Sequence, residues 1–160
     1  MQFFKSLSIL ALAAQSLAEL TQYQLFAKSD DKEIDGNGIY YINEGDNISY
    51  FFISNGTDAP SASTITYDDE NQEFYHQVSP EIKCVLTNTH FILQLTATSE
   101  PMRIPIDEDG VIDFGSSYQL YAVKDFGDHY GYSKDNYGIL FRKLTHGIPI
   151  SIEARKDVSS

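Results

Sequence analysis

The chain has no tryptophan, a single cysteine, and only 11 lysines and arginines against 23 aspartates and glutamates in 160 residues. Each scarcity excludes something. The lone Cys84 cannot close an internal disulfide, and without a CxxC or HxxxH companion it cannot found a zinc site. A formal net charge of −12 argues against nucleic acid, and against charge-driven binding to anionic membranes, because both demand a basic face. No apolar run reaches the roughly 20 residues of a membrane-spanning helix. No sequence signature of a cofactor is present. Without tryptophan, the indole ring that a sugar-cleaving cleft would use for stacking is missing.

What the chain has begins with a secretory leader. Lys5 supplies the positive start, Leu7 to Ala14 form a short apolar stretch, and Ser16-Leu17-Ala18 places small residues before a cleavage point. Cleavage after Ala18 is expected, with Glu19 opening the mature chain. Domain 1–18 is then a signal peptide and 19–160 a single all-β domain of 142 residues, long enough for one sizeable core. Loss of Lys5 with the leader takes the charge from −12 to −13. The protein is expected to be secreted.

Eleven tyrosines and ten phenylalanines suit strands, whose pleated faces accept aromatic and β-branched side chains. Strands are predicted at 23–28, 38–42, 48–53, 63–67, 73–78, 82–87, 90–95, 102–106, 111–114, 118–124, 138–142 and 148–153. All are short and bounded by turn formers such as Asn55-Gly56 and Asp109-Gly110. No stretch after the leader keeps a helical apolar period.

Two stretches echo each other. Tyr23-Gln24-Leu25-Phe26-Ala27 returns as Tyr118-Gln119-Leu120-Tyr121-Ala122, and Gly38-Ile39 as Gly138-Ile139. A weaker third member lies near Phe74. Three such units would make a β-trefoil; two would suit a β-sandwich whose first and last strand pairs look alike. The fold class expected is therefore all-β, in about 11–12 short strands, β-trefoil-like or a β-sandwich.

Two N-glycosylation sequons, Asn47-Ile48-Ser49 and Asn55-Gly56-Thr57, flank one predicted strand. Apparent catalytic motifs fail. Asp125-Phe126-Gly127 spells a kinase triplet without the rest of a kinase. Asp31 to Gly36 resembles the opening of a calcium loop, but Ile42 stands where its bidentate acid belongs. His76, His90, His129 and His146 are scattered, with no nucleophile elbow before them. A carboxylate pair for glycoside cleavage stays open, because its spacing is spatial. The expected reading is no enzyme, no catalytic residue, no metal and no cofactor.

The segment Phe126-Gly127-Asp128-His129-Tyr130-Gly131-Tyr132 has two readings. His129, Tyr130 and Tyr132 form a candidate ligand-facing platform, or the loop's aromatics cover the barrel end. Cys84 is read as a buried small hydrophobe, with an intermolecular disulfide as the alternative.

The leader, the sequons, YQLFAKSDDKEIDGNGIYYINEGDNISYFF and the later DEDGVIDF, YQLYAVKD and YSKDNYGILF segments together resemble small secreted and cell-wall mannoproteins of budding yeasts. The N-terminal domain of yeast-form wall proteins is the nearest likeness. The resemblance implies a glycosylated, non-enzymatic protein of the cell wall or extracellular space. Its expected partners are cell-wall polysaccharide or wall proteins, with a basic peptide as an alternative and no nucleic acid. The chain closes on Glu153-Ala154-Arg155-Lys156-Asp157-Val158-Ser159-Ser160 without an apolar tail, so no membrane anchor is expected.

Overall fold

A computed structural model describes residues 19–55 and 62–158. The expected leader at 1–18, its cleavage point after Ala18, and Gly56-Thr57 of the second sequon lie outside the described residues.

The chain is all-β, with ten strands: β1 (Leu20–Lys28), β2 (Gly38–Asn43), β3 (Ser49–Ile53), β4 (Thr64–Asp68), β5 (Glu73–Ser79), β6 (Ile82–Thr89), β7 (Ile92–Thr96), β8 (Leu120–Val123), β9 (Tyr137–Leu140) and β10 (Ile148–Lys156). Alternation sets their faces. In β10, Ile150, Ile152 and Ala154 are buried while Ser151 and Arg155 face solvent. In β3, Phe51 and Ile53 join the core and Tyr50 and Phe52 point the other way.

Two further predicted strands, 102–106 and 111–114, do not form as strands, but isolated bridges and single hydrogen bonds in these segments close a ring. β1 pairs with β10 on one side (Leu25 opposite Ala154) and β4 on the other (Tyr23 opposite Ile65). β4 pairs with β5. Ile104 N donates to Gln72 O at 2.7 Å, just before β5. Ile106 bridges Ile112, and Ile112 N donates to Ile152 O at 2.9 Å in β10. Six segments therefore form a closed barrel without free edges.

Three hairpins, β2–β3, β6–β7 and β8–β9, cap one end. Their second strands meet pairwise, through Ser49 opposite Leu95, Phe52 opposite Gly138 and Ile92 opposite Leu140. Each hairpin is tied to its unit's last segment in the same way. Ser63 N donates to Ile39 O, Met102 N donates to Leu86 O, and β10 pairs with β8 at Ile148 and Ile150. A closed six-segment ring, capped by three equivalent hairpins, is a β-trefoil; a sandwich would keep two separate sheets.

The units begin at Leu20, Glu73 and residue 111, which corrects the phase of the echo. Tyr23 lies in the first strand of its unit, and so does Phe74. Tyr118 precedes β8, the second strand of its unit. The two stretches look alike because both need the same alternation, burying Leu25 and Ala27 in one and Leu120 and Ala122 in the other. The predicted strand 90–95 also starts late. His90 and Phe91 adopt φ of 52° and 64° and make the two-residue type I′ turn of the β6–β7 hairpin.

The core fills the barrel. Phe51, Phe74, Leu25, Ile39, Ile65, Leu86, Leu93 and Ile139 are sealed; burying each such side chain contributes about 1.5–3 kcal/mol. Tyr67 lies 4.6 Å from Phe74 between ring centroids and donates its hydroxyl to Ile104 O at 2.9 Å.

Candidate functional site

The connection from β8 to β9 is built by its own side chains. Asp128 Oδ2 accepts Tyr132 N at 2.8 Å. Asp128 Oδ1 accepts Ser133 N at 3.0 Å and the Ser133 hydroxyl. Ser133, only 1% exposed, in turn accepts Phe126 N at 3.2 Å. Gly127 and Gly131, at φ of 79° and 72°, reverse the chain where an L side chain would be strained. The loop ends in a single 3₁₀ turn, Tyr132–Lys134.

Beneath the loop, Phe126 lies on Gly138, where an added Cβ would stand 2.3 Å from its Cε1. Its ring stacks on Phe52 at 6.4 Å, and Tyr132 meets Phe52 edge-on at 6.2 Å. These neighbours seal Phe52 on the side away from the barrel core. Above them His129, Tyr130 and Tyr132 stay exposed, with ring contacts at 4.7 Å (His129–Tyr130) and 6.2 Å (Tyr130–Tyr132). Phe126 thus covers the end, while His129, Tyr130 and Tyr132, the three residues named from sequence, lie together on the surface.

The loop is fastened to the β2–β3 hairpin by Glu44. Its Oε2 accepts Tyr130 N at 3.0 Å. Its Oε1 is the one sealed side-chain atom without a hydrogen-bond partner among the described residues, and the Asp128 carboxylate lies close by. Two carboxylates this close repel each other, which favours the neutral form of one of them. Burial first, and then the neighbouring Asp128 carboxylate, push Glu44 above the ordinary carboxyl range. For Asp128, burial works against the charge, but the Ser133 hydroxyl, the Glu44 carboxyl and the Ser133 and Tyr132 N–H groups outweigh it and hold it low. The two shifts run in opposite directions, so Glu44 takes up a proton before Asp128 as pH falls.

Sequence reasoning missed Glu44. It follows β2 as one acid among many, 86 positions from the amide it accepts, and no local pattern joins the two.

The sequon residues sit at opposite ends of β3. Asn47 (φ 59°) follows Asp46 (φ 52°) in a type I′ turn closed by Ile48 N donating to Gly45 O at 2.9 Å. Asn55 is exposed just after β3. Cys84, 3% exposed, points its thiol at Asn47 O (3.3 Å), and burial raises its pKa. Among the described residues no group of three or more His, Cys, Asp or Glu could hold a metal ion.

Fold and sequence thus define an acidic β-trefoil domain of all-β class. The chain is 34% identical over 155 residues to cell wall protein RHD3 of Candida albicans, covering 94% of this chain and 73% of that protein. It is 30% identical to cell wall protein PGA30 and 31% identical to cell wall protein PGA31 of the same organism, each over 97% of this chain. It spans 55% and 53% of those two proteins, about half their length. No family model matches the chain, and no solved structure does. The chain belongs to the family of yeast cell wall proteins that includes RHD3, and its place is the cell wall.

Proposed function

We propose that this protein is a non-enzymatic, N-glycosylated component of the cell wall whose work is surface coverage, presenting glycan, negative charge and hydration. The observation that carries the reading is the match to three cell wall proteins over nearly the whole chain. The position of both sequons supports the glycan part. Asn47 is in a tight turn and Asn55 at an exposed strand end, where an oligosaccharide projects without crossing the core. The acidic excess supports a hydrated, self-repelling coat.

The Glu44–Asp128 pair supports the non-enzymatic part. Glycoside-cleaving carboxyl pairs stand about 5–9.5 Å apart with substrate between them. These two lie side by side and accept loop amides, Glu44 from Tyr130 and Asp128 from Tyr132 and Ser133.

The test is expression of the full chain in a yeast host, followed by wall fractionation and enzymatic removal of N-glycans. The expected result is protein in the wall fraction, with a mass that drops on deglycosylation. Asn47→Gln and Asn55→Gln should each remove one glycan. Recovery only inside the cell, at the mass of the bare polypeptide, would overturn the reading.

A further inference from the structure

We propose that the groove over β6 and β7 is a binding site for a neutral oligosaccharide. The coat function does not require such a site, and the proposal goes beyond it. Alternation decides which side chains form the floor. Cys84 and Leu86 of β6, and Leu93 and Leu95 of β7, point into the core. Thr87 and Gln94, directly opposite each other in register, therefore point outward. Outward polar residues on a strand ordinarily sit in water, yet Thr87 is 7% exposed and Gln94 only 4%. They lie at the bottom of a groove of about 520 Å³, within the roughly 300–1,000 Å³ of ligand pockets.

Neither side chain makes a hydrogen bond to any described residue. Nor are their polar atoms sealed, since Glu44 Oε1 is the only sealed unpartnered side-chain atom among the described residues. A hydroxyl and a primary amide this deep, without protein partners, open only onto the groove. Buried polar groups are normally satisfied, and here the satisfying partner comes from outside the chain.

The walls define its chemistry. Asn88, Thr89 and Thr96 add hydroxyls and an amide, groups that both donate and accept, as sugar hydroxyls do. Tyr118, half exposed and braced edge-on by Phe141 at 5.4 Å, offers an aromatic face for the C–H side of a sugar ring. Glu100 is the one carboxylate at the rim, and no lysine or arginine lines the groove, so phosphate or another anion finds no counter-charge. An extended peptide would bind by adding a strand, but β6 is paired to β5 and β7, and β7 to β6, β3 and β9. No edge is open. Hydroxyl-rich and uncharged is the occupant these walls fit.

The test is calorimetric and NMR titration of the enzymatically deglycosylated protein with laminarihexaose, chitohexaose and mannohexaose, and with an uncharged Thr/Ser-rich peptide as competitor class. Saturable one-to-one binding of at least one oligosaccharide is expected, with shifts centred on Thr87, Gln94 and Thr96. Gln94→Met and Thr87→Val keep volume and should weaken binding at least tenfold. Tyr118→Ala, at an exposed ring, should do the same with an unchanged melting temperature. No binding to any of the three sugars would overturn the proposal. So would binding that ignores these substitutions but is lost in Tyr130→Ala, or binding of the peptide alone. None of those failures touches wall residence, which fractionation reads separately.

Discussion

Glu44 and Asp128 grip the aromatic loop from two sides, and through it two of the three cap hairpins are tied together. Glu44 holds Tyr130 N, while Asp128 holds Tyr132 N and Ser133 N. The loop's shape therefore rests on two neighbouring acids whose pKa shifts run in opposite directions.

Stability should follow the ionisation of this pair. Glu44 ordinarily titrates near 4.5 and is raised in the fold. Above pH 4.5 the unfolded chain releases a proton that the native state keeps, so this contribution is lost as pH rises toward the raised value. Asp128, ordinarily near 3.8, is lowered; its contribution is present above that pH and lost as pH falls through the lowered value. Together they favour the fold most between the two ordinary values. Glu44→Gln keeps a donor for Asp128 but cannot titrate. Urea unfolding from pH 3.5 to 8 should show the variant gaining on the wild type above 4.5, by at most about 1.4 kcal/mol per pH unit. Parallel curves would mean that Glu44 is not raised in the fold.

Gly138 is fixed by its neighbour rather than by its backbone. An alanine there would place a methyl against Phe126 at 2.3 Å, and the ring would have to leave Phe52. Overpacking of this kind costs about 1–3 kcal/mol. Gly138→Ala should lower the urea midpoint and alter the near-ultraviolet signal of Tyr50 and Tyr132, which pack around the same rings. Unchanged stability with an unchanged spectrum would mean that Phe126 is not the lid over Phe52.

The strands were legible because their cause is local. Ile150, Ile152 and Ala154 alternate with polar residues in the linear chain as plainly as in the sheet. Barrel closure was not legible, because β1 meets β10 across most of the chain and pairing carries no local mark. The repeat phase was misread for a related reason. Tyr23 and Tyr118 belong to stretches with the same in-and-out rhythm but different partners. His129, Tyr130 and Tyr132 could be named as a cluster since they adjoin in sequence. Glu44 under them could not, and Thr87 and Gln94 look like any outward strand residues until the groove around them is seen.

Cys84 should be silent in the native protein. It is 3% exposed, it donates to Asn47 O, and burial raises its pKa, so the reactive thiolate is scarce and shielded. A disulfide-exchange reagent at pH 8 should label one thiol per chain in urea and almost none in buffer over the same minutes. Rapid native labelling, or a dimer on a non-reducing gel, would instead favour the intermolecular disulfide.

Phe91 presents the opposite case, a residue the fold would be more stable without. It stands at φ 64° in the tip of β6–β7, with its side chain 55% exposed. Left-handed backbone costs a bulky L residue about 1–2 kcal/mol. Glycine removes that strain but loses about 0.5–1 kcal/mol more entropy on folding than alanine. The strain is the larger quantity, so Phe91→Gly should stabilise the protein by up to about 1 kcal/mol. His90→Asn beside it, completing the Asn-Gly pair that type I′ turns prefer, should add to the gain. Thermal melting of the single and double variants checks both. A lower melting temperature for Phe91→Gly would mean that the ring is held by contacts outweighing the strain. A higher one would leave an exposed aromatic kept at a measurable cost in stability, which is where strain at a surface turn points to use by a ligand or neighbour.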